Sequence, residues 1–368
     1  MGGAEKVLIN YINYFNSFHK SEFSVELLVI SYEGALLREL NDNIKISYLY
    51  KGNEYINQKN IFVKYIYKIY RKIKSVFFLK FPILYNIAFT KYLNFDFNFI
   101  FVQDLYWFSR TKLGKKKVLW IQNNLNKVDD SIQFRNSNFT NNIDQIIAIS
   151  DGIYIDLVNR LKIDTNRIIK CNNPIDSLKI KYLSEQDISI PFKEPYLVSM
   201  GRLVDQKGFD ILLNTLSLLR SKNIFIKLII IGGGENHKKL LEQASSLNLI
   251  DGVDFVITGL MSNPYPLIKN STIFVCSSRF DGLSTSINEA MCLKIPIIST
   301  PCDFGPKEII GNNQYGIITS EISAESLMNS IKEMLESASK LNHYSKASLN
   351  RSIDFDIMNV GKSLINSL

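Results

Sequence analysis

The sequence predicts an α/β protein built from two doubly wound parallel-sheet domains. Short apolar runs of β type alternate with helical segments along the chain, which is typical of βαβ units. Several runs are apolar almost without interruption, as in strands buried on both faces of a parallel sheet. The chain has 368 residues, of which 46% are hydrophobic, so it is too long for one ordinary core.

Six strands are predicted in the front half and five in the back half, at 25–30, 44–50, 97–103, 117–122, 144–150 and 167–172, then at 195–201, 225–232, 252–258, 272–277 and 295–300. A polar stretch with two prolines, 184–195, predicts a domain boundary between the front and back halves of the chain. We therefore expect an N-terminal domain over 1–185, a C-terminal domain over 186–345 and a C-terminal helix over 346–368. A return of that helix to the N-terminal domain is one option.

Composition and charge narrow the function classes. The net charge of +8 is uneven, with +9 on residues 1–180 and −1 on residues 181–368. This asymmetry favours an anionic partner for the front half, although a lysine-rich background explains it equally simply. No stretch is apolar over the ~18 residues of a membrane span. The four cysteines lack metal-ligand spacing, so we predict free thiols in a cytoplasmic protein.

The segment 61–80 has aromatic and branched residues on one side of a predicted helix and five basic residues on the other. Such a helix can lie on an anionic membrane surface, where each basic residue contributes about 1 kcal/mol. An ordinary surface helix packed on the sheet remains an equal alternative.

Two carboxylates, Asp281 and Glu289, flank the start of a predicted helix after the strand at 272–277. The hydroxyl residues Ser284 and Thr285 suit the beginning of that helix. The first-turn N–H groups of a helix have no internal partner and its dipole is positive there, so a phosphate or diphosphate fits. Carboxylates accept hydrogen bonds from sugar hydroxyls, so the pattern fits a nucleotide-sugar.

Two cations, Arg202 and Lys207, follow the strand at 195–201 and precede another predicted helix. Ligands bind beyond the carboxyl ends of strands in such sheets, where these cations would neutralise a leaving diphosphate. Two solvated surface cations are the plain alternative. The glycine run at 232–234 does not complete a dinucleotide fingerprint, because His237 stands where the third glycine belongs.

Together these motifs resemble glycosyltransferase family 4, retaining enzymes with the two-domain GT-B fold. The resemblance rests on "GRLVDQKGFD", "LIIIGGGEN", "FVCSSRFDGLSTSINEAM" and "IPIISTPCDFGPKEII", with looser landmarks in "GGAEKVLINYI", "VLWIQNN" and "CNNPID". The acid-x7-acid motif of the family is matched by Asp281 and Glu289, with Asp where Glu is usual. The "CDFGPKEII" ending is similar to the bacterial branch that builds surface glycans. The implied fold is two Rossmann-like domains that face each other across a cleft.

The resemblance implies roles for the charged residues. Arg202 and Lys207 grip the donor diphosphate, Asp281 faces the donor sugar hydroxyls, and Glu289 binds the ribose. Arg202, Lys207 and Asp281 are thereby candidate catalytic residues. The family generally needs no metal, so the resemblance implies no cofactor, and the nucleotide-sugar is a substrate.

The resemblance also implies contacts from the backbone. N–H groups around Gly282, Leu283 and Ser284 meet the phosphates or the sugar. Gly2 and Gly3 form an N-terminal loop that approaches the donor closely, as only glycine allows.

The chain departs from the family pattern after the strand "VLWIQ", where many members carry a histidine and this chain has Gln122. We keep Gln122 as the fourth candidate catalytic residue. It can make a neutral hydrogen bond but cannot shuttle a proton at neutral pH, so the leaving diphosphate would take the acceptor proton. Asp104 is a further candidate on the acceptor side, although a loop or cap aspartate is the commoner case.

The glycine loop of the family follows a first β-strand, whereas here only Met1 precedes Gly2. That strand is central in a doubly wound domain. We therefore expect that the first strand of the N-terminal domain is missing from this sequence and that the natural protein supplies about ten more residues upstream, an ordinary strand plus turn.

The favoured function is a bacterial, cytoplasmic glycosyltransferase, peripheral on the inner face of the cell membrane. It would move a hexose or N-acetylhexosamine from a nucleotide-diphosphate sugar, with UDP preferred, to a lipid-linked, lipopolysaccharide (O-antigen) or capsule glycan, with retention of anomeric configuration. Two alternatives stay open: a non-catalytic GT-B subunit that binds nucleotide-sugar, and a nucleotide-sugar epimerase. Nucleic acid is not expected as a partner, because the basic segment lacks a recognisable module.

Overall fold

The computed structural model describes residues 3–32, 35–51, 89–101, 109–122, 140–302 and 305–368. The described residues group into two compact units. The N-terminal unit takes its residues from 4–149 and 154–170, and the C-terminal unit from 171–368 together with 150–153 and Gly3. The domain boundaries predicted after residues 185 and 345 stay a prediction.

The N-terminal unit contains parallel strands and flanking helices. Its described elements are α1 (Gly3–Phe18), β1 (Glu26–Tyr32), β2 (Lys45–Lys51), β3 (Phe97–Ile100), β4 (Lys116–Ile121), β5 (Gln145–Ala148), α2 (Asp151–Asn159) and β6 (Ile168–Lys170). The first residue of α1 and the first three residues of α2 group with the C-terminal unit. β1 pairs with β2, and the other four strands form a second sheet in the order β3-β4-β5-β6. Helix α1 places Ile9 and Ile12 in one apolar cluster with Leu27 of β1. The six strands predicted in this half are confirmed, with ends that shift by at most three residues.

The C-terminal unit is a doubly wound α/β unit. Its strands form one parallel sheet in the order β12-β11-β10-β7-β8-β9. The elements are α3 (Ser177–Ser184), β7 (Tyr196–Met200), α4 (Phe209–Ser221), β8 (Lys227–Ile231), α5 (His237–Ser246), β9 (Phe255–Ile257), α6 (Tyr265–Lys269), β10 (Ile273–Cys276), α7 (Thr285–Cys292), β11 (Ile297–Ser299), α8 (Gly305–Ile310), β12 (Ile317–Ile318), α9 (Ala324–Leu335), α10 (Ala338–Ser352) and α11 (Ile357–Ser367). All five predicted strands are confirmed. Strand β12 was not predicted, because its two residues are too few to give a pattern.

One apolar core holds this unit together. Every residue of β10 and β11 is buried, which explains their uninterrupted apolar sequence. Helix α4 contributes Leu212, Leu216 and Leu219, a spacing that puts them on one helical face. They belong to the same cluster as Leu327 and Ile331 of α9. The packed helices and sheet fix the strand ends, from which the candidate site is built.

Helix starts in this unit differ in how they are capped. The N-cap side chain accepts a backbone hydrogen bond at the starts of α3, α9, α10 and α11, from Asp176, Ser323, Ser337 and Asp356. At α7, in contrast, the N-cap residue Ser284 has an extended backbone but makes no side-chain cap hydrogen bond. Its hydroxyl lies 3.1 Å from that of Ser286 instead. The first turn of α7 is therefore not capped by the side chain that the sequence offers for it.

In the part of the chain that the structure describes, no helix is both long and apolar enough to cross a bilayer. The segment 61–80, predicted as a basic amphipathic helix, lies outside the described residues.

Candidate active site

Two loops of the C-terminal unit meet at one edge of its sheet. The β7 loop is residues 201–208, and the β10 loop is residues 277–284. Because β7 and β10 are parallel neighbours, the loops after their carboxyl ends lie side by side. They touch at Gly208, whose φ is +62° and where a Cβ would lie 2.1 Å from the Ser277 carbonyl oxygen. Only glycine fits there, so the close approach of the two loops depends on the glycine at position 208.

The contact between the loops brings two predicted site residues into an ion pair. Lys207 Nζ lies 2.5 Å from Asp281 Oδ2, and the side chains are 17% and 12% exposed. Asp281 Oδ1 also accepts a hydrogen bond from the Gly282 N–H, at 3.0 Å. Burial by itself would lower the pKa of Lys207, but the charge of Asp281 outweighs it and the pKa is raised. Lys207 therefore stays a cation at neutral pH and neutralises Asp281.

Arg202, the other predicted cation, stands at the start of the β7 loop and is exposed. No carboxylate pairs with it among the described residues. The neighbouring glycine run, residues 232–234, packs closely against the backbone of the β7 loop. A Cβ on Gly232 would lie 1.8 Å from the Gly201 carbonyl oxygen, so this position requires glycine. The Leu203 N–H also donates to the Gly233 carbonyl oxygen at 3.0 Å. This run thus packs on the β7 loop, which gives the glycines a structural role.

The backbone predicted to meet the ligand lies just before α7. Gly282, Leu283 and Ser284 are buried, and α7 begins at Thr285, as the sequence predicts. Lys207 lines a small pocket together with Ser286 of the first turn. The cation and the start of the helix therefore lie at the same place, which is the arrangement that an anion requires.

Glu289 lies in the second turn of α7 and is 3% exposed. Its Oε1 accepts a hydrogen bond from the Tyr265 hydroxyl of α6, at 3.2 Å. Tyr265 is buried to the same degree. A buried carboxylate held by a phenol keeps one orientation, so Tyr265 positions the group that the resemblance assigns to the ribose.

We expect Tyr265→Phe to weaken UDP binding about 10-fold, close to the net value of one hydrogen bond to a charged group. The phenyl ring keeps its packing, but Glu289 loses the donor that orients it. The measurement is the Kd for UDP by calorimetry.

Tyr196→Phe is the matched control. Tyr196 is also 3% exposed, and its hydroxyl donates to the Leu267 carbonyl oxygen of α6 at 2.7 Å. Both variants should lose about 1 kcal/mol of folding free energy, but Tyr196→Phe should leave the Kd unchanged. Equal loss of UDP affinity in the two variants would remove the specific role of Tyr265.

The remaining predicted residues lie elsewhere. Gln122 follows β4 in the N-terminal unit and is 6% exposed. Gly3 is the first residue of α1 rather than part of a preceding loop, and a Cβ on it would lie 3.0 Å from Thr285 Oγ1 of the same unit. Gly2 and Asp104 lie outside the described residues.

Two residues that contact the site residues or their loops, Tyr265 and Arg279, were not predicted from the sequence. Tyr265 has no motif around it that would mark it as a partner of Glu289. Arg279 stands two residues before Asp281, but its partner Asp210 lies 69 residues away in the sequence. Only a three-dimensional arrangement reveals such contacts.

The four cysteines are free and buried, as predicted. Removal from water raises the pKa of the Cys302 thiol to about 12 and that of Cys292 to about 11. Both pKa values exceed the pKa of ~8.5 that a thiol has in an unfolded chain. At a pH between the unfolded and the folded pKa, the folded state therefore binds more protons than the unfolded state. The thiols therefore stabilise the fold below about pH 8.5, and this contribution is lost as the pH rises towards 11 and 12.

We expect the folded protein to resist Ellman's reagent at pH 8, because the thiolate is the reactive form and the sulfurs are enclosed. All four thiols should react after unfolding in guanidinium. Fast reaction of two or more thiols in the folded protein would contradict this assignment.

The two Rossmann-like units with parallel sheets define the GT-B fold. The Anabaena protein HepE, solved in complex with UDP, has the same fold with a TM-score of 0.74, and the match covers 100% of this chain and 96% of HepE at 16% identity. Residues 183–351 match the family of glycosyl transferases group 1. These residues include both site loops and helix α7.

Curated relatives agree with this family match. An uncharacterised glycosyltransferase of Methanocaldococcus jannaschii is 32% identical over 46% of this chain and 49% of its own length. The N-acetylgalactosamine-N,N'-diacetylbacillosaminyl-diphospho-undecaprenol 4-alpha-N-acetylgalactosaminyltransferase of Campylobacter jejuni is 26% identical over 68% of this chain and 66% of its own length. The matches thus span about half to two thirds of these relatives.

Proposed function

We propose that this chain is a retaining glycosyltransferase that moves a hexose or N-acetylhexosamine from a UDP-sugar to a lipid-linked or surface glycan. The observation that carries the proposal is the Lys207–Asp281 pair beside the start of α7. The cation and the helix start without a side-chain cap suit the diphosphate of a nucleotide-sugar, and the carboxylate suits the hydroxyls of its sugar.

The diphosphate would lie between Lys207, Arg202 and the first turn of α7. Among the residues that the structure describes, Asp281 is the only carboxylate in an ion pair with Lys207, and Arg202 is exposed and able to turn towards a ligand. The positive end of the α7 dipole adds to these two charges. Such fixed charges stabilise a leaving diphosphate without metal, so we propose that none is needed.

The sugar and the ribose would each have one carboxylate. Asp281 accepts from donor-sugar hydroxyls, and Glu289 accepts from the ribose, where Tyr265 fixes its orientation. The relative from Campylobacter jejuni is named as an N-acetylgalactosaminyltransferase, and HepE was solved with UDP. These names support an N-acetylhexosamine or hexose and a uridine nucleotide for this chain as well.

In the transfer step, the bond between the sugar anomeric carbon and the diphosphate oxygen breaks. A new bond forms between that carbon and the acceptor oxygen on the same face, so the configuration is retained. The acceptor proton passes to the departing phosphate oxygen, which is the strongest base that the step creates. Lys207 and the α7 amides stabilise the charge that develops on the diphosphate.

The acceptor is proposed to be anchored at a membrane surface. The relative from Campylobacter jejuni is named for a diphospho-undecaprenol substrate, and the front half of this chain carries a net charge of +9. The segment 61–80 would supply the contact with anionic lipid. The enzyme would then act as a peripheral protein on the cytoplasmic face.

The test is UDP release from a panel of UDP-sugars, with and without bacterial glycolipid extract and with and without EDTA. We expect one UDP-sugar to turn over only with glycolipid, equally well in EDTA, and the anomeric proton coupling of the product to match that of the donor. UDP binding without turnover would point to a non-catalytic subunit, interconversion of free UDP-sugars to an epimerase, and no UDP binding would overturn the proposal.

A further inference from the structure

Arg279 of the β10 loop forms a fork with helix α4. Its Nη1 donates to Asp210 Oδ1 at 2.8 Å, and its Nη2 donates to Asp210 Oδ2 at 2.6 Å. Nη1 also donates to the Asp205 carbonyl oxygen of the β7 loop, at 2.7 Å. One side chain therefore links the β10 loop to both the β7 loop and the helix that follows it.

Backbone and amide contacts add to this link. The Arg279 N–H donates to the Gln206 carbonyl oxygen at 2.8 Å, and Gln206 Nε2 donates to the Phe280 carbonyl oxygen at 3.0 Å. The two bonds join the residues directly before Lys207 to the residues directly before Asp281. The chain segments that carry the ion pair are thus tied together immediately before it.

The partner of Arg279 sits on a fixed support. Asp210 lies in the first turn of α4, whose flanking residues Phe209 and Ile211 are buried in the core. Burial opposes ionisation of Asp210, but the hydrogen bonds and charge of Arg279 outweigh it and lower the pKa of the carboxyl. The hydrogen bonds that Arg279 donates to Asp210 in turn raise the pKa of Arg279. The fork therefore stays charged across the neutral range.

An ordinary surface ion pair would contribute little, because exposed pairs have a median value of about 0–1 kcal/mol. The Arg279 ion pair differs in geometry, because its planar guanidinium donates to three oxygens. Two belong to the Asp210 carboxylate on α4, and the third is the Asp205 carbonyl oxygen in the β7 loop. Among the described residues, no hydrogen bond or ion pair joins the Arg279 side chain to the side chain of Lys207 or Asp281. The hydrogen-bonded route from Arg279 to the pair therefore runs through the backbone of the two loops.

We propose that Arg279 is a positioning residue for the donor site. It holds the β7 and β10 loops in the single arrangement that keeps Lys207 Nζ and the Asp281 carboxylate 2.5 Å apart and beside the start of α7. This inference rests on the proposed function for its catalytic consequence, but the coupling of the loops is independent of it. A misplacement of about 1 Å in such a site can lower the rate about 100-fold.

The test compares Arg279→Met with Arg160→Met. Arg160, which directly follows helix α2 of the N-terminal unit, forms a fork of the same kind, from Nε and Nη2 to the two oxygens of Asp156 at 2.8 Å each. Its side chain is 38% exposed and that of Arg279 is 39% exposed. The two variants thus remove equivalent ion pairs, and only one of them joins the site loops.

We expect Arg279→Met to lower kcat/KM for the UDP-sugar about 10- to 100-fold, with a larger effect on kcat than on the Kd for UDP. Arg160→Met should stay within about twofold of the parent. Arg279→Lys should recover only part of the loss, because an ammonium cannot make the planar fork.

Hydrogen exchange gives a readout that needs no activity. Without donor, Arg279→Met should speed exchange across 201–208 and 277–284 together, whereas Arg160→Met should affect only its own helix. Parent-like exchange in both loops and parent-like kcat/KM would overturn the inference. A second outcome separates the two proposals. If Arg279→Met speeds exchange in both loops but the parent protein neither binds UDP nor turns over a UDP-sugar, the coupling of the loops is confirmed. The proposed function, and with it the role of Arg279 in positioning the donor site, is then overturned.

Discussion

Lys207→Met is expected to lower the turnover of a UDP-sugar by about 100- to 1,000-fold, the usual cost of removing one group that stabilises developing charge. The same change leaves Asp281, which is 12% exposed, without its cation. Loss of one partner of a buried pair costs roughly 3 kcal/mol, so the melting temperature should fall as well. Steady-state UDP release and thermal unfolding measure the two effects.

The two effects can be separated with the double variant Lys207→Met/Asp281→Asn. This variant no longer buries an unpaired charge, so it should regain most of the lost stability while it remains inactive. Lys239→Met is the matched control, because Lys239 lies 3.4 Å from Asp205 in an ion pair of which both side chains are exposed. A double variant that regained turnover with its stability would show that Lys207 acts only on the fold.

Glu289→Ala is expected to abolish turnover, and Glu289→Gln to raise KM for the UDP-sugar about 10- to 100-fold. The amide keeps the volume and the hydrogen bond with Tyr265 but loses the charge that strengthens bonds from hydroxyl donors. KM and the Kd for UDP measure the effect. Glu242→Gln, at a carboxylate that is 67% exposed on α5, should leave both constants unchanged.

Deoxynucleotides locate the contact that Glu289 makes. If its carboxylate binds the ribose, 2'-deoxy-UDP or 3'-deoxy-UDP should bind the parent more weakly than UDP does. The difference should narrow in Glu289→Gln, because the variant and the deoxynucleotide remove the same interaction. A difference that stays constant would place the ribose away from Glu289.

The sequence was most informative where local chemistry decides the structure. All eleven predicted strands are present, because strands buried in parallel sheets have apolar sequences that are hard to mistake. The start of α7 at Thr285 was predictable from hydroxyl residues after an apolar run. The charged candidates Arg202, Lys207, Asp281 and Glu289 were found from charges that follow two such strands, whereas Gly2, Gly3 and Gln122 came from the family resemblance.

The partnerships within the site were not predictable in the same way. Lys207 and Asp281 are 74 residues apart, and both were expected to face the ligand rather than each other. A hydroxyl of Ser284 or Thr285 was expected to suit the N-cap of α7, but the N-cap residue Ser284 makes no side-chain cap hydrogen bond and its hydroxyl lies beside that of Ser286. No pattern along the chain reports such pairs, because each depends on which strands become neighbours.

The sequence by itself determined eleven strands of this protein, their order along the chain and the charged residues at their ends. Only the tertiary structure decided that β10 lies next to β7, although two strands and three α-helices intervene in the chain between them. That neighbourhood brings Lys207 to Asp281 and Arg279 to Asp210. The physical reason is that apolar periodicity and turn chemistry act over a few residues, whereas ion pairs between loops require the closure of long chain segments by a packed sheet.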